Sequence, residues 1–151
     1  MDAVTYPNEN VASFVDDHFV ALRISSDTQP FAEDFNVKWT PRIFVLDQFG
    51  KSHQSTLGFF PAAEFIPALE LGLAKVDFDL DCLDECQNHL NRILSNHPHS
   101  PSAPEALYLL GVTRYKITGQ PGALKEAHLQ LQDRFPDSDW ARRALPYRLI
   151  R

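Results

Sequence analysis

Cysteine is scarce in this chain: Cys82 and Cys86 are the only two among 151 residues. Two thiols cannot build the disulfide framework that staples small secreted domains, so stability has to come from a buried apolar core. No apolar run approaches the roughly 20 residues that a membrane-spanning helix needs, and no membrane partner is expected. The N-terminal Met-Asp-Ala-Val-Thr-Tyr-Pro lacks the basic and apolar regions of a secretory signal, which makes the expected compartment the cytoplasm. Positive charge is also in short supply. Lys and Arg total 14 against 20 Asp and Glu, a formal net charge of −6. Phosphate backbones are bound by clustered basic residues, so nucleic acid is not an expected partner. Gly-x-Ser-x-Gly, P-loop and dinucleotide fingerprints are all missing, and no cofactor is expected.

What is present is ordinary globular material, long enough for one domain or two small ones. The most informative stretch runs from Phe35 to Lys51, Phe-Asn-Val-Lys-Trp-Thr-Pro-Arg-Ile-Phe-Val-Leu-Asp-Gln-Phe-Gly-Lys. Proline pushes the residue before it out of the helical region, so Thr40 should be extended. Ile43 to Leu46 is too short for a helix and is bounded by turn signals, which fits a strand buried on both faces. Gly50 supplies the positive φ of a tight turn.

The flanking residues complete a pattern. Met1 to Tyr6 reads as a helix tail stopped at Pro7, and Asn8 caps a short amphipathic helix carrying Val11, Phe14, Val15 and His18. Phe19 to Ile24 reads as a mostly buried strand, and Pro30 opens a helical turn through Phe35. A second strand follows the Gly50 turn to about Phe59, with His53, Ser55, Leu57 and Phe59 on one face. Pro61 starts a helix over Ala62–Lys75 with Phe65, Ile66, Leu69 and Leu73 as its stripe. Pro67 inside it predicts a bend or a late start.

Val37-x-Trp39-Thr40-Pro41-x-Ile43-x-Val45-Leu46-Asp47-x-x-Gly50-Lys51, followed by Leu57-Gly58-Phe59 and a helix, resembles the second half of a thioredoxin-fold domain. The resemblance covers residues 1–76. It implies a cis proline at Pro41 facing an active-site cysteine pair, and a substrate groove formed by Trp39, Thr40 and Pro41, with the Thr40 backbone pairing with an extended protein substrate. Against the groove-wall role that the resemblance implies for Trp39, an ordinary core position is the equal alternative. The family's chemistry is thiol–disulfide exchange through Cys-x-x-Cys at a helix start, where the first thiol's pKa is lowered. This chain has no Cys-x-x-Cys, so no catalytic residue is assigned and the chain as it stands is expected to be redox-inactive. The resemblance also implies a central strand missing between Phe19–Ile24 and Ile43–Asp47. The expected remedies are an upstream start, a shift of the two strands together, or another segment or a second copy filling the gap.

Residues 77–151 are helical in pattern and weakly repetitive. Pro98, Ser100, Ala103 and Ala106 return 38 residues later as Pro136, Ser138, Ala141 and Ala144. Amphipathic helices precede both sets, with Leu83, Cys86, Leu90 and Ile93 in one and Leu124, Ala127 and Leu131 in the other. Ala103–Thr118 is apolar on two sides, Ala106, Leu107, Leu110 and Ile117 on one and Tyr108 and Tyr115 toward another, which predicts a helix sandwiched between neighbours. Gly111 permits close approach there. This pattern resembles tetratricopeptide-like helical hairpins, which bury their apolar faces by stacking and bind proteins.

The remaining candidates are weak. Cys82, Cys86 and His89, at i, i+4 and i+7, are a possible metal set, but free cysteines beside an apolar stripe usually pack as small hydrophobes. Asp16-Asp17-His18 reads as a solvated helix end, and His97-Pro98-His99 offers too few ligands for zinc. The expected architecture is α/β, an incomplete thioredoxin-like sheet with flanking helices followed by a tetratricopeptide-like helical segment. The expected partner is a protein, as substrate, as a client of a non-catalytic adaptor, or as a second copy in a homodimer.

Overall fold

The computed structural model describes all 151 residues and is mixed α/β with helices dominant. It divides into two compact units, Met1–Ile66 and Pro67–Arg151, whereas the change of sequence style falls near residue 76. The first unit opens with turns over Met1–Pro7. The Asn8 side chain then accepts hydrogen bonds from the amides of Asn10 and Val11 and starts helix α1, Glu9–His18. Val11 is the buried anchor of this helix. Helix α2 is a single turn, Phe31–Asp34. Strands β1, Arg42–Leu46, and β2, Ser52–Leu57, form a two-stranded antiparallel sheet.

Two expectations for this unit are corrected. Phe19–Ile24 forms no strand: its backbone from Val20 to Ile24 makes no hydrogen bond to other backbone groups. Val20 is 92% exposed and Leu22 80%. An alternating apolar sequence needs a ladder partner to become a strand, and the only ladder here joins β1 and β2. Nor is β1 buried on both faces. Val45 is buried, Ile43 and Phe44 are half-buried, and Leu46 is exposed.

Helix α3, Ala62–Asp79, outruns its expected end at Lys75 and continues through Pro67. The proline removes one intrahelical hydrogen bond, that to the Ala63 carbonyl. Its ring is fully buried, and every residue from Ala68 to Gly72 is buried beside it. Burial of that apolar surface offsets one lost bond.

The second unit contains helices α4, Leu83–Asn96, α5, Ala103–Thr118, α6, Gly122–Arg134, and α7, Asp139–Arg143, then a 3₁₀ segment over Leu145–Leu149. Amphipathic spacing is realised closely in α4, where Cys86, Leu90 and Ile93 are wholly buried against Leu71, Ala74, Ala106 and Leu110. Leu107, Leu131, Ala141 and Ala144 form a second cluster, with Tyr108, Trp140 and Tyr147 packed on it. Ile117 and Tyr115 are exposed, so α5 is covered on both sides only along its first three turns.

The sequence repeat is a structural one. Helix α4 ends at His97 with φ −133 and ψ 51, and α6 ends at Phe135 with φ −140 and ψ 51. The Ser100 amide donates to the His97 carbonyl at 3.0 Å, and Ser138 to Phe135 at 3.0 Å. Ala103, Ala106, Ala141 and Ala144 all have no exposed surface. Small residues recur because each turn brings the next helix close to the previous one.

Gly111 marks the tightest contact. A Cβ added there would overlap the Ala127 Cβ of α6 and lie 3.3 Å from the Ala123 carbonyl oxygen. Gly111→Ala gains helix propensity of about 1 kcal/mol, yet forcing an extra methyl into a packed contact costs roughly 1–3 kcal/mol. The methyl's neighbours are backbone and Cβ, which cannot swing aside, so the cost prevails. Gly111→Ala is expected to lower the urea midpoint, and an unchanged or raised midpoint would show that α5 and α6 separate freely.

Candidate functional site

The segment Trp39-Thr40-Pro41 leads directly into strand β1. The β1–β2 ladder pairs Arg42 with Leu57, Ile43 with Thr56 and Phe44 with Ser55, and the register shifts between Val45 and Leu46. The Gly58 amide donates to the Pro41 carbonyl at 2.9 Å, which makes Pro41 and Gly58 a hydrogen-bonded pair. In an antiparallel ladder such pairs alternate with pairs whose backbone groups point away from the partner. The N–H and C=O groups of Arg42 and Phe44 therefore point to the outer edge of β1, where no strand lies.

A carboxylate fixes the turn that holds this hairpin. Asp47 Oδ1 accepts from the Phe49 amide at 2.8 Å and the Lys51 amide at 3.0 Å, while Oδ2 meets His53 Nε2 at 2.8 Å. Both side chains of the Asp47–His53 pair are almost wholly covered. Gly50, at φ 82, closes the turn in a conformation that side chains resist. The His53 contact, with help from the two amides, holds the Asp47 carboxyl below the usual carboxylate range.

Trp39 stands at the head of β1 with 73% of its surface exposed, and Thr40 is exposed beside it. Trp39 is thus no core residue. The Thr40–Pro41 bond is cis, as is Gln29–Pro30. Phe49, Leu57 and Phe59 add further exposed apolar side chains to this unit. Edge backbone and exposed apolar groups together suit capture of an extended chain.

The cysteines and their histidine do not converge. Cys86 is wholly buried and its Sγ lies 3.4 Å from Thr113 Oγ1. Burial pushes its thiol pKa up, against a smaller lowering by Thr113. Cys82 is exposed at the N-cap of α4 without a capping bond. Both are free thiols. His89 spends both ring nitrogens on carboxylates, Nδ1 on Glu70 at 3.0 Å and Nε2 on Asp77 at 3.5 Å. No group of three or more His, Cys, Asp or Glu side chains is placed to hold a metal ion. Asp16 and Asp17 are exposed, and His18 stacks on Phe14 while its Nδ1 meets the Phe14 carbonyl. His97 and His99 sit in the turn after α4.

No family model, curated protein or solved structure matches this chain.

Sequence reasoning missed the ion cluster around Glu70. This carboxylate is only 4% exposed and is shared by His89 and, at 3.5 Å, Arg92, tying α3 to α4. Burial raises the Asp77 pKa, with His89 pulling it back and Glu85 adding to the rise. The available signal was one acid, Glu70, set between Leu69 and Leu71 on a helix otherwise destined for burial; almost no acid is buried without a partner.

The Asp47 contacts give a pH signature with a definite sign. A carboxyl with a depressed folded pKa stabilises the hairpin fully above its unfolded value of about 3.9 and loses that contribution as pH falls through the lower folded value. The Phe49 amide resonance should shift with a midpoint below the ordinary aspartate range and lose its pH response in Asp47→Ala. A midpoint at or above that range would mean that the carboxylate does not hold the turn.

Proposed function

We propose that this chain is a thioredoxin-like polypeptide-binding protein that performs no thiol–disulfide exchange through its own cysteines. The observation that carries the reading is the unpaired outer edge of β1, running directly into the exposed Trp39-Thr40-Pro41 segment. An extended polypeptide would add along that edge by hydrogen bonds to the backbone of Thr40, Arg42 and Phe44, and Trp39 would cover one of its apolar side chains. The order of Thr-Pro, antiparallel hairpin, Gly58-Phe59 and helix α3 supports the relation to the thioredoxin fold.

The thiols support the non-catalytic half of the reading. A nucleophilic cysteine needs access and a stabilised thiolate. Cys86 has no exposed surface and its pKa is raised, so it offers neither. Cys82 is accessible, but the only other thiol, Cys86, is sealed in the core and is not exposed to resolve a mixed disulfide.

A second reading assigns binding to the helical unit as a tetratricopeptide-like adaptor. The matched turns at His97 and Phe135 and the four buried alanines favour it. The two readings separate by mutation. An extended peptide of about eight residues with alternating apolar and polar side chains is the probe. Its affinity should fall at least tenfold, about 1.4 kcal/mol, in Trp39→Ala. It should fall also in Arg42→Pro, which removes one outward N–H from the edge. Affinity unchanged in both variants would move binding away from β1. Reduction of a protein disulfide should not exceed the uncatalysed rate, and turnover that survives Cys82→Ser with Cys86→Ser would overturn the non-catalytic assignment.

A further inference from the structure

Charge in the helical unit is segregated toward two ends. Residues 77–85 carry Asp77, Asp79, Asp81, Asp84 and Glu85 with no Lys or Arg, and residues 140–151 carry Arg142, Arg143, Arg148 and Arg151 with no acid. The acidic stretch forms the turn from α3 into α4 and the first turn of α4. Asp81 there pairs with Lys116, near the C-terminal end of α5, at 3.0 Å. The basic stretch forms most of α7 and the 3₁₀ segment, whose Tyr147 hydroxyl meets Tyr108, in the N-terminal half of α5, at 2.8 Å. Eight residues of helix separate those two contacts, about 12 Å at 1.5 Å per residue. Helix α7 packs on α5 and α6, and the 3₁₀ segment on α6 and α7.

Within the chain, much of this charge has no ionic partner. Arg142 is paired with Asp139, and Arg143 lies over the Trp140 ring at 4.9 Å. Arg148 and Arg151 are exposed and make no ion pair, as are and do Asp84 and Glu85 on the other face. Each charged face also carries exposed apolar surface, Leu80 beside the acids and Leu145 and Leu149 beside the arginines, with Leu149 76% exposed.

We propose that a second copy of this chain is the occupant of the basic face: α7 and the 3₁₀ segment of one copy dock on the α3–α4 turn of the next. The charges are opposite, and Leu145 and Leu149 meet Leu80 at the centre. An interface between two different faces is heterologous, so it leaves one free face of each kind at the ends and extends to rings or short filaments. It is independent of β1 and of the polypeptide-binding reading.

Sedimentation equilibrium of the full chain tests it. At about 0.05 M salt the weight-average mass should rise above 17.2 kDa with concentration. The association constant should fall at least tenfold by about 0.5 M salt, where the screening length approaches a few ångström. Arg148→Glu with Arg151→Glu should abolish association, and so should Asp84→Lys with Glu85→Lys in a separate variant. Mixing the two variants should restore it, because the acidic turn of the first meets the basic face of the second; misfolding would not be rescued by mixing. A monomer at every concentration in low salt overturns the proposal. So does association that ignores both charge reversals, which would point to pairing through β1. Arg148- and Arg151-dependent binding to anionic phosphatidylserine vesicles without self-association would also overturn it and reassign the face to a lipid surface.

Discussion

Helix α5 can touch neighbours on both sides only because its contact positions are small. Gly111 lies where any Cβ would strike Ala127, and Ala103 and Ala106 are sealed against the preceding turn and α4. Larger side chains would hold the helices apart and open gaps around Leu107, Leu110 and Leu131, whose dispersion contacts fall off steeply with distance. The two core clusters of the helical unit thus depend on residues that contribute little apolar area themselves. Around them, Lys75 with Glu105 and Lys116 with Asp81 fix helix ends at the surface, where such pairs add little energy but define register.

The first unit is built on a different constraint, the satisfaction of backbone groups. Its sheet has one ladder, so each strand has one bare edge. The turn at Asp47 compensates locally by gathering two amides and an imidazole on one carboxylate. Elsewhere the unit leaves large apolar side chains in water, at Val20, Leu22, Trp39 and Phe49. A small domain has too little interior to cover them all.

The parts of the structure legible in the sequence are those decided within one or two turns of chain. Asn8 as a cap, the stripe Cys86, Leu90 and Ile93, the limits Ala103–Thr118 and the Gly50 turn all follow from local spacing and turn chemistry. What escaped was decided elsewhere. Phe19–Ile24 has the composition of a strand, but a strand exists only with a partner, and composition does not show whether one is at hand. The late helix start expected from Pro67 does not occur, because propensity counts the lost hydrogen bond and not the burial of its ring. Glu70 was passed over for the opposite reason, since its place among apolar residues hid a charge whose partners come from α4. For Trp39, exposure excludes the core position and nothing more.

The repeat also shows where its two copies part ways. Counting 38 residues on from α5, Leu107 corresponds to Leu145 and Tyr108 to Pro146. At that point α5 continues for ten more residues, while α7 has already ended and the chain tightens into the 3₁₀ segment. Proline at this site has no amide to offer the preceding turn and its ring crowds the carbonyl there. One residue later, Tyr147 folds onto Tyr108 and Trp140 shields the same ring. Where the first copy of the motif continues as a long helix, the second changes to a 3₁₀ segment, and the aromatics of that segment and of α7 close over the Tyr108 ring of the first copy.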